Sequence, residues 1–201
     1  IPSLVICVSS ECDMGCVYCP PYGEDIMPCN SLCEEQTILH LIHVAKQRGI
    51  EMIRLTGGEP LLAPDRTRML LEEASKHRFA RLVLNTNGTQ LLTNLDWLSK
   101  YSGVIECKVS LDSLNPSVFY QVTRCPELDK VISGILAAVE KGINVVINCV
   151  ITKMNIETIF DVITFCDTHS LDLKLFDVSD FGGTFRSRWL EVYQPLENLV
   201  Q

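Results

Sequence analysis

No run of apolar residues in this sequence approaches the length needed to cross a bilayer, and no signal-peptide pattern opens it. A membrane partner is therefore not expected, and a cytoplasmic location is. Positive charge is also scarce: 17 Lys and Arg face 25 Asp and Glu, a formal net charge of −8. A nucleic-acid partner, which would normally need a basic face, is not expected either. The 4 histidines show no metal-ligand spacing, and His40 and His43 read as surface or packing residues. Internal repeats, low-complexity tracts and clear linkers are lacking, so a single domain over residues 1–201 is expected.

Cysteine, by contrast, is abundant, at 10 residues. A chain of 201 residues that is 47% apolar has core enough to do without a disulfide scaffold. Three of the cysteines are clustered, which suggests a metal in a reducing compartment. The scattered ones read as small buried apolar residues.

Six strand-like runs, Ser3–Val8, Met52–Leu55, Arg81–Leu84, Val104–Leu111, Ile143–Ile151 and Leu171–Phe176, are rich in Val, Ile and Leu. Helical patterns lie between them. Ser31 and Glu34 form a possible capping box before a face of Ile38, Leu41, Ile42 and Ala45. Pro64 opens a second helix, and Asn94 is placed to cap a short one through Leu98. Val131, Ile135 and Ala138 share a face, and Asn155 is placed to cap a last helix with Ile156, Ile159, Ile163 and Cys166 turned inward. Strand and helix alternating in this way give an α/β fold with parallel strands and right-handed crossovers. Periodicity leaves two outcomes open, a partial barrel of six units and a doubly wound sheet. In both, chemistry belongs on the loops after the strand C-termini.

The first such loop carries Cys12, Cys16 and Cys19 at Cys-x3-Cys-x2-Cys spacing. Three soft thiolates so close together suit one metal centre. Spacing alone leaves open an iron–sulfur cluster with one open iron, a zinc site that also draws on Cys29 or Cys33, and a chance cluster.

Tyr18, in the aromatic position before the third cysteine, makes the pattern resemble the radical S-adenosylmethionine superfamily. Gly57-Gly58-Glu59-Pro60, just after the second strand, resembles that family's GGEP segment. The resemblance implies a partial (β/α)6 TIM-type barrel, a 4Fe–4S cluster on Cys12, Cys16 and Cys19, and S-adenosylmethionine chelating the open iron. It also implies an electron donor such as flavodoxin or ferredoxin. Reductive cleavage to methionine and a 5′-deoxyadenosyl radical, which takes hydrogen from an unactivated carbon of a small-molecule substrate, is the chemistry implied. Tyr18, Gly57, Gly58, Glu59 and Pro60 are implied at the cofactor.

The resemblance runs on through Ile53–Leu62 (IRLTGGEPLL), Asn85–Gly88 (NTNG) and Val109–Pro116 (VSLDSLNP). It is nearest the GTP 3′,8-cyclases of molybdenum-cofactor synthesis. In that branch the positions of Thr86 and Ser110 lie beside S-adenosylmethionine, and Asn148 in the fifth strand is within reach of the same site. Three departures stand out. The branch carries an arginine where this chain has Val5, and lysines where it has Met52 and Val146. Arg54 is kept. The implied GTP site is therefore incomplete, because a triphosphate needs charge-assisted contacts. Lys174, Arg186 and Arg188, at or beyond the last strand, are candidates for an anionic substrate alongside Arg54. The branch's C-terminal region with a second cluster is expected to be missing.

The leading expectation is an enzyme that cyclises, rearranges or modifies a small molecule, with a nucleotide derivative among the candidates. The alternatives are a peptide-modifying maturase of the same superfamily, a GTP 3′,8-cyclase proper, and a zinc-binding module without catalysis. No catalytic residue is singled out.

Overall fold

A computed structural model of the chain describes residues 2–19, 33–178 and 185–195, excluding the side chains of 185–188. Six strands form one sheet: β1 (Ser3–Ser9), β2 (Met52–Gly57), β3 (Arg81–Thr86), β4 (Ile105–Ser110), β5 (Asn144–Val150) and β6 (Asp172–Phe176). They lie in the order β1-β2-β3-β4-β5-β6, and every pairing is parallel. Among the described residues seven α-helices accompany them: α1 (Glu35–Gln47), α2 (Pro64–Lys76), α3 (Leu91–Leu98), α4 (Pro116–Thr123), α5 (Leu128–Glu140), α6 (Ile159–Thr168) and α7 (Phe185–Val192). Strictly consecutive order decides between the two expected architectures. A doubly wound sheet reverses its order at a switch point, and none occurs here. Right-handed crossovers that never reverse lay their helices on one face. The result is a partial (β/α)6 barrel, open between β1 and β6.

Register separates the two faces. Ile53, Leu82, Ile105 and, one step up, Leu55, Leu84 and Cys107 are mutual neighbours across β2–β4. All are at most 2% exposed and pack against Ile42, Leu70, Leu71, Leu98, Val131 and Ile135 of the helices. Alternation then assigns Val5, Arg54, Val83, Glu106, Lys108, Val146, Asn148 and Lys174 to the barrel interior. Among the described residues no helix is long and apolar enough to cross a membrane.

Several local expectations need correction. Helix α3 begins at Leu91, so Asn94 lies within it. Its Nδ2 donates to the Gln90 carbonyl (2.8 Å), and its Oδ1 accepts from Trp97 Nε1 (2.9 Å). Asn155 does not cap a helix through its side chain. It is buried, accepts from the Thr152 amide (2.7 Å) and donates to the carbonyls of Asp112 (2.8 Å) and Val150 (2.9 Å). In α6 the buried stripe is Ile159, Val162 and Cys166, while Ile163 is exposed. Leu41 on α1 is likewise exposed. Glu34 precedes α1 without a side-chain cap, and Ser31 lies outside the described residues. Helix α4, not foreseen, is capped by Asn115, whose Oδ1 accepts from the amides of Ser117 and Val118.

Candidate active site

The cysteine loop leaves the end of β1 and is tied down along its length. The Gly58 amide donates to the Ser9 carbonyl (2.7 Å), and that of Glu59 to Glu11 (2.7 Å). The two glycines are what allow this approach. Gly57 has φ +139°, and a Cβ there would stand 2.2 Å from the Ser9 oxygen; one on Gly58 would stand 2.2 Å from that of Glu11. Further along, Asp13 accepts from Asn87 Nδ2 (2.6 Å) and Thr89 Oγ1 (2.6 Å), which binds the loop to the end of β3. The amides of Gly15 and Val17 donate to the carbonyls of Thr123 and Val122 at the end of α4.

Strand ends and loop together enclose a cavity of about 180 Å³. Cys12, Cys16, Cys19 and Tyr18 line it from the loop, Thr56, Gly57 and Gly58 from β2, and Asn85, Thr86 and Asn87 from β3. Ser110 at the end of β4, Asp112 just beyond it, and Met14 and Thr123 complete the lining. Most of the residues expected at a cofactor thus face one space.

The remaining candidates stand nearby. Glu59 is fully buried, but its carboxylate is a clasp between two loops. It accepts from the Leu61 amide (2.9 Å), Thr86 Oγ1 (2.8 Å) and the Asn87 amide (2.6 Å). Burial pushes its pKa up to about 7 against those donated bonds. Pro60 begins the short 3-10 turn Pro60–Leu62 behind it. Asn148 is the register partner of Ser110, and its Oδ1 is buried without a hydrogen-bond partner. Lys174 is exposed on β6 opposite Asn148. Arg54 lies in the interior row of β2. Arg186 and Arg188 fall on α7 with side chains outside the described residues, and Cys29 is outside them altogether. Cys33 lines a separate cavity with Leu4, Val5 and Leu41, away from the three clustered cysteines.

Three further residues escaped sequence reading. Asp112, 1% exposed, accepts from the Tyr18 hydroxyl (2.7 Å) and the Val150 amide (2.8 Å). Burial raises its carboxyl to about 6 and pushes the Tyr18 phenol well above its ordinary value. Asp13 and Asn87 orient the cysteine loop, and Asn87 Nδ2 also reaches Cys12 Sγ (3.7 Å). A carboxylate inside a cysteine loop was a readable hint; the partnership of Tyr18 and Asp112 was not.

A thiolate cluster fits this donor set. Three cysteines converge on one cavity, amide donors from Met14 and Asn87 stand at Cys12 Sγ, and small residues leave room beside them. Among the described residues no three His, Cys, Asp or Glu side chains gather as they would around a single metal ion. The Radical SAM superfamily model matches residues 6–166.

The chain belongs to the radical SAM superfamily.

The cofactors of this superfamily are a 4Fe–4S cluster and S-adenosylmethionine. In this member Cys12, Cys16 and Cys19 would hold the cluster. Among curated proteins, the chain is 33% identical to a GTP 3′,8-cyclase of Bradyrhizobium diazoefficiens over 98% of its length and 58% of the relative's. It is 34% identical to that of Petrotoga mobilis over 76% and 48%. It is 32% identical to human molybdenum cofactor biosynthesis protein 1 over 90% and 29%. The chain thus spans about half the length, or less, of these relatives. In fold, it matches Streptococcus suis SuiB bound to S-adenosylmethionine at a TM-score of 0.80 and 22% identity, covering 98% of this chain and 45% of that one.

Proposed function

We propose that this radical SAM protein is an enzyme that takes a hydrogen atom from a small-molecule substrate and thereby cyclises, rearranges or modifies it. One observation carries the reading: Cys12, Cys16 and Cys19 share a cavity with Gly57, Gly58, Thr86 and Ser110 at the C-terminal ends of parallel strands. Once the cluster and S-adenosylmethionine are bound there, the chemistry available is reductive cleavage to methionine and a 5′-deoxyadenosyl radical, which removes hydrogen from carbon.

The chain's own residues do the positioning. The paired glycines let the backbones of β1 and β2 close on each other, which sets the cysteine loop against the strand ends. Thr86 is held by Glu59, leaving the β3 loop fixed. Tyr18 is fixed by its bond to Asp112, just beyond β4. Arg54 on β2 and Lys174 on β6 face the interior by register and are substrate candidates, and Asn148 on β5 is a cofactor candidate.

The substrate named for the relatives is GTP. Val5 and Met52, which replace cations that the resemblance implies for GTP, fall on the interior wall by register, as does Val146, which replaces a lysine that the resemblance implies near the cofactor. We therefore assign a small anionic substrate other than GTP. Anaerobically reconstituted full-length protein, reduced, is expected to form 5′-deoxyadenosine from S-adenosylmethionine; a fully loaded sample that neither binds nor cleaves it refutes the proposal. Direct titration with GTP tests the finer reading: micromolar affinity together with a 3′,8-cyclised product would make the protein a GTP 3′,8-cyclase.

A further inference from the structure

The barrel wall beside the cofactor cavity carries a cluster of cations drawn from three strands. Lys108 on β4 is the register partner of Asn85, which lines that cavity. Its side chain is 13% exposed and meets that of Lys174 from β6, with Arg54 of β2 close enough to act on its charge. Burial first, then those two neighbouring cations, push the lysine's pKa down, and only Glu106 opposes them. Arg54 Nε is buried and has no hydrogen-bond partner. Among the described residues neither Arg54 nor Lys174 enters an ion pair.

Two carboxylates share this wall. Glu106 is claimed from its other side by Arg81, with Lys108 at 3.6 Å. Asp172 is exposed opposite Val146 and makes no ion pair among the described residues. Lys108 is mostly buried and Lys174 exposed, and Glu106, already paired with Arg81, is the one carboxylate shown to act on Lys108 and Lys174, so an excess of positive charge is left that a bound anion would offset. Val146, where the resembling branch carries a lysine, is the register partner of Lys108.

We propose that Lys108, with Arg54 and Lys174, seats an oxyanion of the substrate, a phosphate or a carboxylate, on the interior wall next to the cofactor cavity. This rests on the proposed radical SAM activity and names the substrate's chemical class. Lys108 is the specificity-determining member, because it alone adjoins both the cavity row and the other two cations.

The test is calorimetric titration of full-length, cluster-loaded protein with pyrophosphate and, separately, with succinate. Wild type, Lys108→Gln, Lys108→Arg and, as a surface control, Lys130→Gln are compared. Wild type should bind one of the two anions saturably. Lys108→Gln should weaken that binding about tenfold or more, the loss expected for one charge-assisted hydrogen bond. Lys108→Arg should largely keep it, and Lys130→Gln should not change it. Preference for pyrophosphate assigns a phosphate-bearing substrate, and preference for succinate a carboxylate. No saturable binding by wild type overturns the inference whatever the variants do, as does binding that Lys108→Gln leaves intact. The titrations are repeated with saturating S-adenosylmethionine. Binding that persists supports a substrate seat; binding that disappears gives the seat to the cofactor's own carboxylate and overturns it. Iron content and S-adenosylmethionine cleavage are read on the same samples. Protein that is active yet ignores both anions refutes the oxyanion seat alone. Protein that binds an anion but, though loaded and reduced, cleaves no S-adenosylmethionine supports the seat and refutes the proposed activity.

Discussion

The same six strands present two faces of opposite character. Toward the helices, Ile53, Leu55, Leu82, Leu84, Cys107 and Ile147 are at most 1% exposed and make one continuous apolar core. Toward the interior, Arg54 Nε, Asn85 Oδ1 and Asn148 Oδ1 are buried atoms without hydrogen-bond partners. A stable fold normally satisfies such groups, and leaving one unpaired costs roughly 1–3 kcal/mol. The helix face is organised for stability; the interior face gives up stability for groups held ready for a ligand.

The largest expected effect sets clustered against buried cysteines. Replacing Cys12, Cys16 and Cys19 together with Ala should abolish cluster loading, read as iron content and the visible absorption of the reconstituted protein. Cys107→Ala and Cys149→Ala, on the helix face, should load a full cluster. If the triple variant still binds four irons, the two classes of cysteine have been confused. Gly58→Ala belongs with the first group, because its Cβ would meet the Glu11 backbone. It should destabilise the protein by about 1–3 kcal/mol, the usual range for overpacking, and impair loading.

A core truncation and an interior one should differ in sign or nearly so. Leu84→Ala removes a side chain that is 0% exposed and should cost about 2–5 kcal/mol in urea unfolding. Lys108→Met keeps volume and removes a buried cation from a like-charged group, so stability should stay level or rise by about 1 kcal/mol. Equal losses in the two would show that the interior face is as optimised for stability as the other.

Asp112 gives a smaller, pH-dependent effect. Its carboxyl moves from an ordinary 3.8 to about 6 on folding, chiefly by burial. The folded state therefore binds the proton more tightly than the unfolded one. Stability from this group is full below about 3.8, declines as pH rises, and is flat above about 6. Asp112→Asn can keep both hydrogen bonds, with the Tyr18 hydroxyl turned to accept. Relative to that variant, wild type should lose stability between those pH values, by at most roughly 3 kcal/mol. A constant difference from pH 4 to 7 would contradict the assignment. The smallest effect is at the outer surface. Arg68 and Glu72 pair at 2.9 Å on α2 with both side chains about half exposed, so Arg68→Ala should change stability by no more than about 0.5 kcal/mol.

All six strands were legible in the sequence to within a residue or two, because β-branched runs bounded by turns leave little ambiguity. The short helix α4 and the start of α3 were not, since eight residues carry too little periodicity to announce themselves. The two motifs were legible because each is contiguous in sequence, as were Tyr18, Thr86 and Ser110 through the resemblance. Lys108 was half legible. Glu106, Lys108 and Ser110 alternate with Ile105, Cys107 and Val109, which marks one face as polar without saying what it meets.

What the sequence determined by itself was therefore local: strand identity, the three thiols on one loop, and the glycine pair where two backbones must touch. What only the tertiary structure decided was which of those segments stand side by side. Consecutive strand order, with no switch point, turned six parallel strands into a partial barrel and gave them a common interior. Register then placed Lys108 beside Val146, and the cysteine loop, laid over the strand ends, brought Tyr18 against Asp112, 94 residues away. Charge and hydrogen bonding act over a few ångströms of space whatever the distance along the chain, so these partnerships came into view only once the strands were laid in order.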